Sequence, residues 1–451
     1  RGVPALTSVT QLLAAEIKAT TFDDVPRGAI DRLTRLFVDQ IGVTYMGHEA
    51  TGKALCAYAA DADGKPEALL IGTDQKTSCG LAAGINAQVG RNADFEDTGP
   101  GLHPGPLVVH TALAVAQRCG SSGQELLAAM ALGYDLNARF FKASTAGPDV
   151  RHNTMIAAAI TAKLLDLDQD KIARALSLAW EFPIKAANYT RPRVSKRISA
   201  LGMGHFFSAQ NGVQAALMTT HGFESVVDEV DQLGDVYDLD ILVDQSKRYH
   251  DIEHALFLNP WPTSHACHAV IQSIEDLMTT HDLTASDITA VRAGLPDIYL
   301  MPHQNNNHPE TYWEAVYSVA WSFAMVIHRV PPGPAWFTAS RIKDQVYHAL
   351  TECITGVEHP PATEAMKTLD LESVDGWVEL ETAKGTLRAE RNMRDTYGSP
   401  TTPMPEEMFK GKFMRTAEPS IGAVRASALY ADLWDVAEIV DVTILVEKMS
   451  P

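Results

Sequence analysis

Asn92-Ala93-Asp94-Phe95-Glu96-Asp97-Thr98-Gly99-Pro100-Gly101-Leu102-His103-Pro104-Gly105-Pro106 joins two segments of small and apolar residues, 81–89 before it and 107–116 after it. Their spacing predicts two helices, linked by three carboxyl groups, a hydroxyl and a Gly/Pro loop. His103 precedes a proline suited to the first turn of a helix. Its imidazole is therefore expected near the free N–H groups of that turn, which form a ready anion site. An imidazole can move a proton at neutral pH, and a nearby carboxylate can fix its tautomer. The same residues could also be a capping cluster beside an ordinary loop histidine. The acids lack the alternating ligand spacing of a calcium loop.

Outward from this segment, the first 220 or so residues read mostly as helices. Ser8 or Thr10 can cap a helix reaching Lys18, and Pro26 opens a second with apolar residues at helical spacing through Ile41. Further helices are expected at 126–132, 154–165, 171–179 and 204–220, with a short strand at 68–71. No glycine-rich phosphate loop follows a strand, so neither a dinucleotide-binding nor a nucleotide-hydrolysing motif has support. The character changes near Pro260-Trp261-Pro262. Beyond it come helices at 266–278, 310–326 and 339–354, and a strand at 288–295. A hairpin follows, running along 374–382, turning at Ala383-Lys384-Gly385 and returning along 387–391. This stretch reads as a smaller α+β unit, after which helices return at 405–414 and 424–445.

The chain has 451 residues, enough for two or three domains, and its 46% apolar and 21% charged content fits a folded globular protein. Lys and Arg number 37 against 56 Asp and Glu, a net charge of −19 that argues against a nucleic-acid partner. Charge is distributed unevenly. Between Glu181 and Glu224 there is no acid but there are five bases, Lys185, Arg191, Arg193, Lys196 and Arg197, and then 224–244 carries eight acids and no base. The acidic stretch is expected to be a solvated face. Five scattered cysteines suggest neither a disulfide framework nor an iron–sulfur cluster. Ser264-His265-Ala266-Cys267-His268 is a weak zinc pattern, so no metal is expected there. No apolar run approaches a membrane span, and a cytoplasmic enzyme without membrane partners is the expectation.

Several segments carry a resemblance in order. Phe37-Val38-Asp39-Gln40-Ile41-Gly42-Val43 is similar to LDTLGV, and Asp94-Phe95-Glu96-Asp97-Thr98 to DFDDT. Gly123-Gln124-Glu125-Leu126-Leu127, with Gly133-Tyr134-Asp135, looks like GxELLxAxxxGYE. Ser208-Ala209-Gln210-Asn211-Gly212 looks like AAQNG, and Tyr397-Gly398-Ser399-Pro400 with Lys412-Phe413 resembles a KGxPxNP…KF stretch. Together they resemble the MmgE/PrpD family, which includes 2-methylcitrate dehydratases, cis-aconitate decarboxylases and iminodisuccinate epimerases. The resemblance implies a mainly α fold, with a large all-helical domain built from both chain ends (1–256 and 398–451) and a smaller α+β lid domain (257–397). It also implies a homodimer, no cofactor and a small organic acid as substrate. By position, Asp94, Thr98, His103 and His152 match family active-site residues, and His268 matches a histidine at the start of the lid. A family Lys-Arg-x-His-x-Gly segment has its lysine at Leu201 in an ungapped count, so Lys196-Arg197 stands in for it only with a shift. A second family lysine falls at Asn259, and Asn153-Thr154-Met155 replaces a glycine-rich stretch after His152.

The expected activity is a cofactor-independent lyase of the dehydratase type, acting at carbon α to a carboxylate or carbonyl. In that reading His103 is the acid/base, Asp94 orients or shares its proton, Thr98 and His152 hydrogen-bond the substrate, and Lys196 or Arg197 holds a carboxylate. The same proton-transfer site would serve an epimerase, an isomerase or a decarboxylase. A non-catalytic binding or scaffold protein is a further alternative.

Overall fold

The computed structural model describes residues 8–145, 151–182, 203–368 and 370–451. It is mainly α-helical. Helices Val9–Ala19, Arg27–Gly47, Cys79–Arg91, Pro104–Cys119, Gly123–Ala143, Asn153–Leu164, Gln169–Trp180 and Met203–Thr220 surround one hydrophobic cluster. Glu406–Ile421 and Ala423–Trp434 come back from the far end of the chain to join it.

Local chemistry sets the helix ends. The Ser8 hydroxyl accepts the Gln11 N–H at 3.3 Å and starts the first helix. Ser122 and Glu125 form a reciprocal capping box at the start of Gly123–Ala143. Pro26 precedes Arg27–Gly47 as expected. Cys79–Arg91 is buried along its whole length, which its small residues allow. Close crossing has a similar basis at Gly212, where a Cβ would lie 2.4 Å from the Thr154 carbonyl oxygen.

A second hydrophobic cluster draws mainly on residues between Phe257 and Met393. Strands β1 (Ala68–Leu69) and β2 (Lys76–Thr77) form a small antiparallel pair in the helical part. Strands β3 (Ile288–Leu295), β4 (Ile354–Glu358), β5 (Asp375–Thr382) and β6 (Gly385–Asn392) form one sheet in the order β4-β3-β5-β6. Only β3 and β4 run parallel. Helix His268–Thr280 lies on β5 and β6. Val378 and Leu380 on β5 are buried, in keeping with one covered face of the sheet.

Three expected helices are shorter than their periodicity suggests. The 310–326 stretch is two helices, Tyr312–Tyr317 and Val319–Ile327, because Ser318 is extended. Its hydroxyl accepts the Trp321 N–H at 3.0 Å and donates to the Asn306 carbonyl at 2.6 Å. The 339–354 stretch stops at Thr351, and Ile354 begins β4, where its β-branched neighbours pair with β3. The 424–445 stretch breaks after Trp434 and resumes as Val442–Glu447. The acidic stretch is not only a solvated face. Asp231 accepts from the N–H groups of Val9 and Thr10 and from the hydroxyls of Ser8 and Thr10, holding the start of the first helix.

The two clusters meet at Lys412 on Glu406–Ile421. Its ammonium is buried and donates to Asp39 Oδ2 at 2.9 Å, to the Phe95 carbonyl at 2.7 Å and to the Asn259 carbonyl at 2.9 Å. Asp39 Oδ1 is 2.7 Å away, and the ammonium also lies 4.1 Å from the centre of the Phe95 ring. Phe95 itself belongs to the second cluster although it sits in the carboxyl-rich segment. Burial pulls the Lys412 pKa down and pushes that of Asp39 up, and each partner opposes the other's shift. Removing one partner of such a pair leaves a buried charge uncompensated. Lys412→Met should therefore destabilise the protein by about 3–5 kcal/mol in denaturant unfolding. Adding Asp39→Asn should return part of that loss, whereas a double variant no better than the single one would contradict the pairing.

Candidate active site

The Asn92–Pro106 segment begins where Cys79–Arg91 ends. Arg91, the last residue of that helix, points its Nη1 at Asp94 Oδ1 (2.9 Å) and Glu96 Oε1 (2.9 Å), and all three side chains are buried. Asp94 holds a left-handed backbone, φ 51°, a conformation that costs a non-glycine residue free energy and here brings its carboxylate back onto Arg91. The chain then turns through Gly101 (φ 92°) and Leu102 (φ 68°). A Cβ at Gly101 would fall 1.7 Å from Asn137 Oδ1, so only glycine fits.

His103 follows as the residue before the first turn of Pro104–Cys119. Its Nδ1 lies 2.9 Å from Glu96 Oε1, off the line of an ideal N–H bond, and its Nε2 lies 3.8 Å from Asp94 Oδ1. Burial, then the Arg91 charge, hold the imidazole down to about 3, with Asp94 pulling the other way. His103 is thus an uncharged base at neutral pH. Burial pushes the Glu96 carboxyl up, and Arg91 opposes that shift. The oxygens and nitrogen of Asp94, Glu96 and His103 lie within 4.8 Å of one another, the spacing of a cation site, and the Arg91 guanidinium supplies the positive charge there.

The expected anion site at the helix start is not formed. Pro104 and Pro106 have no N–H, and the Gly105 N–H donates to Asp97 Oδ1 at 3.0 Å. Asp97 thus fills the place foreseen for a ligand. Burial, then the neighbouring Glu96 and Asp39, push its carboxyl up to about 8, with Tyr134 beside it.

Thr98 pairs its backbone with Phe257, N to O at 3.0 Å and O from N at 2.7 Å, so the segment is bound to the start of the sheet-bearing part. Its hydroxyl accepts from Asn259 Nδ2 at 3.1 Å, and Asn259 Oδ1 meets His265 Nδ1 at 2.9 Å. Asn259, where the resemblance placed a lysine, is a neutral connector.

The structure brings Asp94, Thr98 and His103 into one region and places the other candidates differently. His152 is fully buried just before Asn153–Leu164, stacked on Phe140 (5.6 Å) and edge-on to Tyr237 (6.3 Å). His268 gives Nε2 to the Thr263 carbonyl at 3.1 Å and packs edge-on to Trp261. Cys267 donates its thiol to the Ser264 carbonyl at 2.9 Å, so Cys267 and His268 serve their own loop rather than a shared metal point. Lys196 and Arg197 lie outside the described residues. Sequence reasoning missed Arg91 and the role of Glu96, and it missed His205, whose Nε2 sits 3.0 Å from the His103 carbonyl oxygen. A histidine in the shifted family segment, one residue beyond the ungapped position, was the available signal for His205. A cleft of about 650 Å³ borders the loop ahead of His103, lined by Leu102, Lys142, His254, Phe257 and Lys367 among others.

The mostly covered His103 imidazole thus lies among two buried carboxyl groups and an arginine, in the segment that joins the helical core to the start of the sheet-bearing part. Two family models fit the chain, the MmgE/PrpD N-terminal domain over residues 11–233 and the MmgE/PrpD C-terminal domain over residues 261–435. The chain belongs to the MmgE/PrpD family, which includes dehydratases and a decarboxylase. It is 25% identical to the cis-aconitate decarboxylase of Mus musculus over 487 residues, 99% of this chain and 94% of that protein. No helix among the described residues is long and apolar enough to cross a membrane.

Asp97 gives a test of the buried electrostatics. Its folded pKa, about 8, is above the unfolded value of 3.8, so between these values the folded state binds the extra proton. Stability therefore falls as pH rises through that window, by up to about 1.4 kcal/mol per pH unit. Asp97→Asn keeps an acceptor for Gly105 and removes the titration. It should gain stability over wild type at pH 8 relative to pH 5 in denaturant unfolding. A difference that does not change with pH would contradict the assignment.

Proposed function

We propose that this chain is a lyase of the dehydratase type that acts at the carbon next to a carboxylate or carbonyl of a small organic acid, with His103 as acid and base. The observation that carries this reading is the His103 imidazole set beside Glu96 and Asp94, where burial and Arg91 hold its pKa down to about 3. A neutral imidazole takes the proton from carbon α as negative charge develops on the substrate. The imidazolium and the enolate-like substrate then form together, so the buried site never holds one uncompensated charge. Asp94 and Glu96 stabilise the imidazolium. Arg91 keeps the two acids in place. In the elimination, the C–H electron pair becomes the new C=C bond, the C–O bond breaks, and His103 returns its proton to the leaving oxygen to give water.

Thr98 is assigned a hydrogen bond to the substrate, and Lys196 or Arg197 a substrate carboxylate. His152, packed against Phe140 and Tyr237, is assigned a supporting role. The sheet-bearing part, 257–397, would act as a lid over the helical part, with the cleft beside Leu102 as the way in. A cytoplasmic homodimer working without a cofactor completes the proposal. Decarboxylation is the second reading. It is favoured by the full-length likeness to a cis-aconitate decarboxylase, and it uses the same imidazole to protonate the carbon from which CO₂ leaves. Epimerisation would return the proton to the opposite face. The grouping of Arg91, Asp94, Glu96 and His103 weighs against a purely non-catalytic scaffold.

Product NMR in D₂O with citrate-like, aconitate-like, iminodiacid and simpler 2-hydroxy and 2-enoic acids separates these outcomes. His103→Ala should lower turnover about 10²-fold or more while leaving the melting temperature within a few degrees. Near-normal turnover in that variant would sink the assignment. Because His103 is already uncharged, kcat/KM should show no acid limb near pH 6.5. A limb there that disappears in His103→Ala would mean that the imidazole titrates normally.

A further inference from the structure

The face of the sheet turned away from helix His268–Thr280 carries a cluster that the reacting site does not use. Side chains alternate along β5, so burial of Val378 and Leu380 on one face puts Asp375, Trp377 and Glu379 on the other. Glu390 on β6 is the cross-strand partner of Trp377, diagonal to Asp375. His359 follows β4, and its N–H donates to the Leu295 carbonyl at 2.8 Å, which holds it beside the end of β3. His359 Nε2 lies 3.2 Å from Asp375 Oδ2. A ring nitrogen of His359, a carboxylate oxygen of Asp375 and one of Glu390 lie within 4.8 Å of one another.

Two features separate this triad from an ordinary surface ion pair. His359 Nε2 and Asp375 Oδ1 are buried and have no hydrogen-bond partner among the described residues, so no N–H stands in line between ring and carboxylate. Buried polar atoms left in that state are costly unless a ligand completes them. The second feature is charge. In the group of Asp94, Glu96 and His103, Arg91 meets both acids at 2.9 Å and supplies the positive charge. Here Arg388 stands 3.8 Å from Glu390 and is engaged by Glu379 at 2.7 Å. Among the described residues Asp375 has no lysine or arginine partner. One imidazole nitrogen with two carboxylate oxygens is a donor set for a zinc-type ion, whereas Mg²⁺ and Ca²⁺ favour oxygen alone. Ligand atoms at zinc's usual bond lengths stand about 3.3–3.6 Å apart. The 3.2 Å between His359 and Asp375 is close to that spacing, and the exposed Glu390 is free to close in.

We propose that His359, Asp375 and Glu390 form a divalent transition-metal site, best fitted to Zn²⁺, separate from the reacting site and structural in its task. His359 and Asp375 stand at the two ends of the excursion that contains helix Pro360–Lys367 and the turn Leu371–Ser373. Lys367, Asp370 and Leu371 of that excursion line the cleft beside Leu102. An ion held by both ends and by β6 closes the excursion as a loop and fixes that wall of the cleft.

The test is Zn²⁺ binding to untagged, chelator-treated full-length protein, measured by competition with a chromophoric zinc chelator and by thermal melting. Wild type should take up Zn²⁺ and melt at a higher temperature with it than without it. His359→Gln, Asp375→Asn and Glu390→Gln should each weaken the binding of one equivalent by about tenfold or more and remove the rise in melting temperature. Glu390 is exposed, so Glu390→Gln reads the site without disturbing packing. Mg²⁺ should compete only weakly. Failure of wild type to bind Zn²⁺, binding unchanged in Glu390→Gln, or tighter binding of Mg²⁺ than of Zn²⁺ would each overturn the site.

Discussion

The ammonium of Lys412 is the constraint on which the rest of this structure depends. It comes from the last part of the chain, yet its hydrogen bonds reach the Asp39 helix, the carboxyl-rich segment at Phe95 and the start of the sheet-bearing part at Asn259. A buried lysine is tolerable only when its charge is paired and its donors are satisfied. These partners therefore have to be assembled together, and the fold in which they are is the one that joins the His103 segment to the start of the sheet-bearing part. A contact that contributes little net free energy can in this way specify the arrangement.

Asn259 extends that constraint into the site. Its carbonyl accepts from Lys412 and its amide lies between Thr98 and His265. A lysine at this position would add charge beside an ammonium already present, whereas an amide transmits position without charge. Together with the pairing of Arg91 to Asp94 and Glu96, this leaves the described part of the site with neutral imidazoles rather than free cations. This suits the proposed proton transfer, in which Lys196 or Arg197 is proposed to hold the substrate carboxylate.

Much of the fold was legible because it is written in local chemistry. Ser8, Pro26 and the capping box at Ser122 mark their helix ends, and the hairpin of β5 and β6 follows alternating residues around Ala383-Lys384-Gly385. What was not legible depends on contacts distant in sequence. Ile354 looks helical until β3 offers it a parallel partner, and Ser318 breaks a periodic stretch only because the Asn306 carbonyl is within reach. In the site, the Asp94–His103 segment announced itself by composition. The pairing of Arg91 with two acids, the different hydrogen-bond partners of His265 and His268, and the link from Lys412 all needed three dimensions. The missing anion site was legible in principle, since two of the first three helix residues after His103 are prolines.

The central claim is that His103 is a bare, uncharged imidazole held between two buried acids by Arg91. Its protonation state can be read directly, without a substrate, from the side-chain nitrogen shifts of histidine-labelled protein, with the His103 signals assigned by their loss in a His103 variant. The account predicts neutral-imidazole shifts for His103 throughout pH 5 to 8, and a rise in its pKa when Arg91 is replaced by Gln. An imidazolium that titrates near pH 6.5 in the wild-type protein would contradict it.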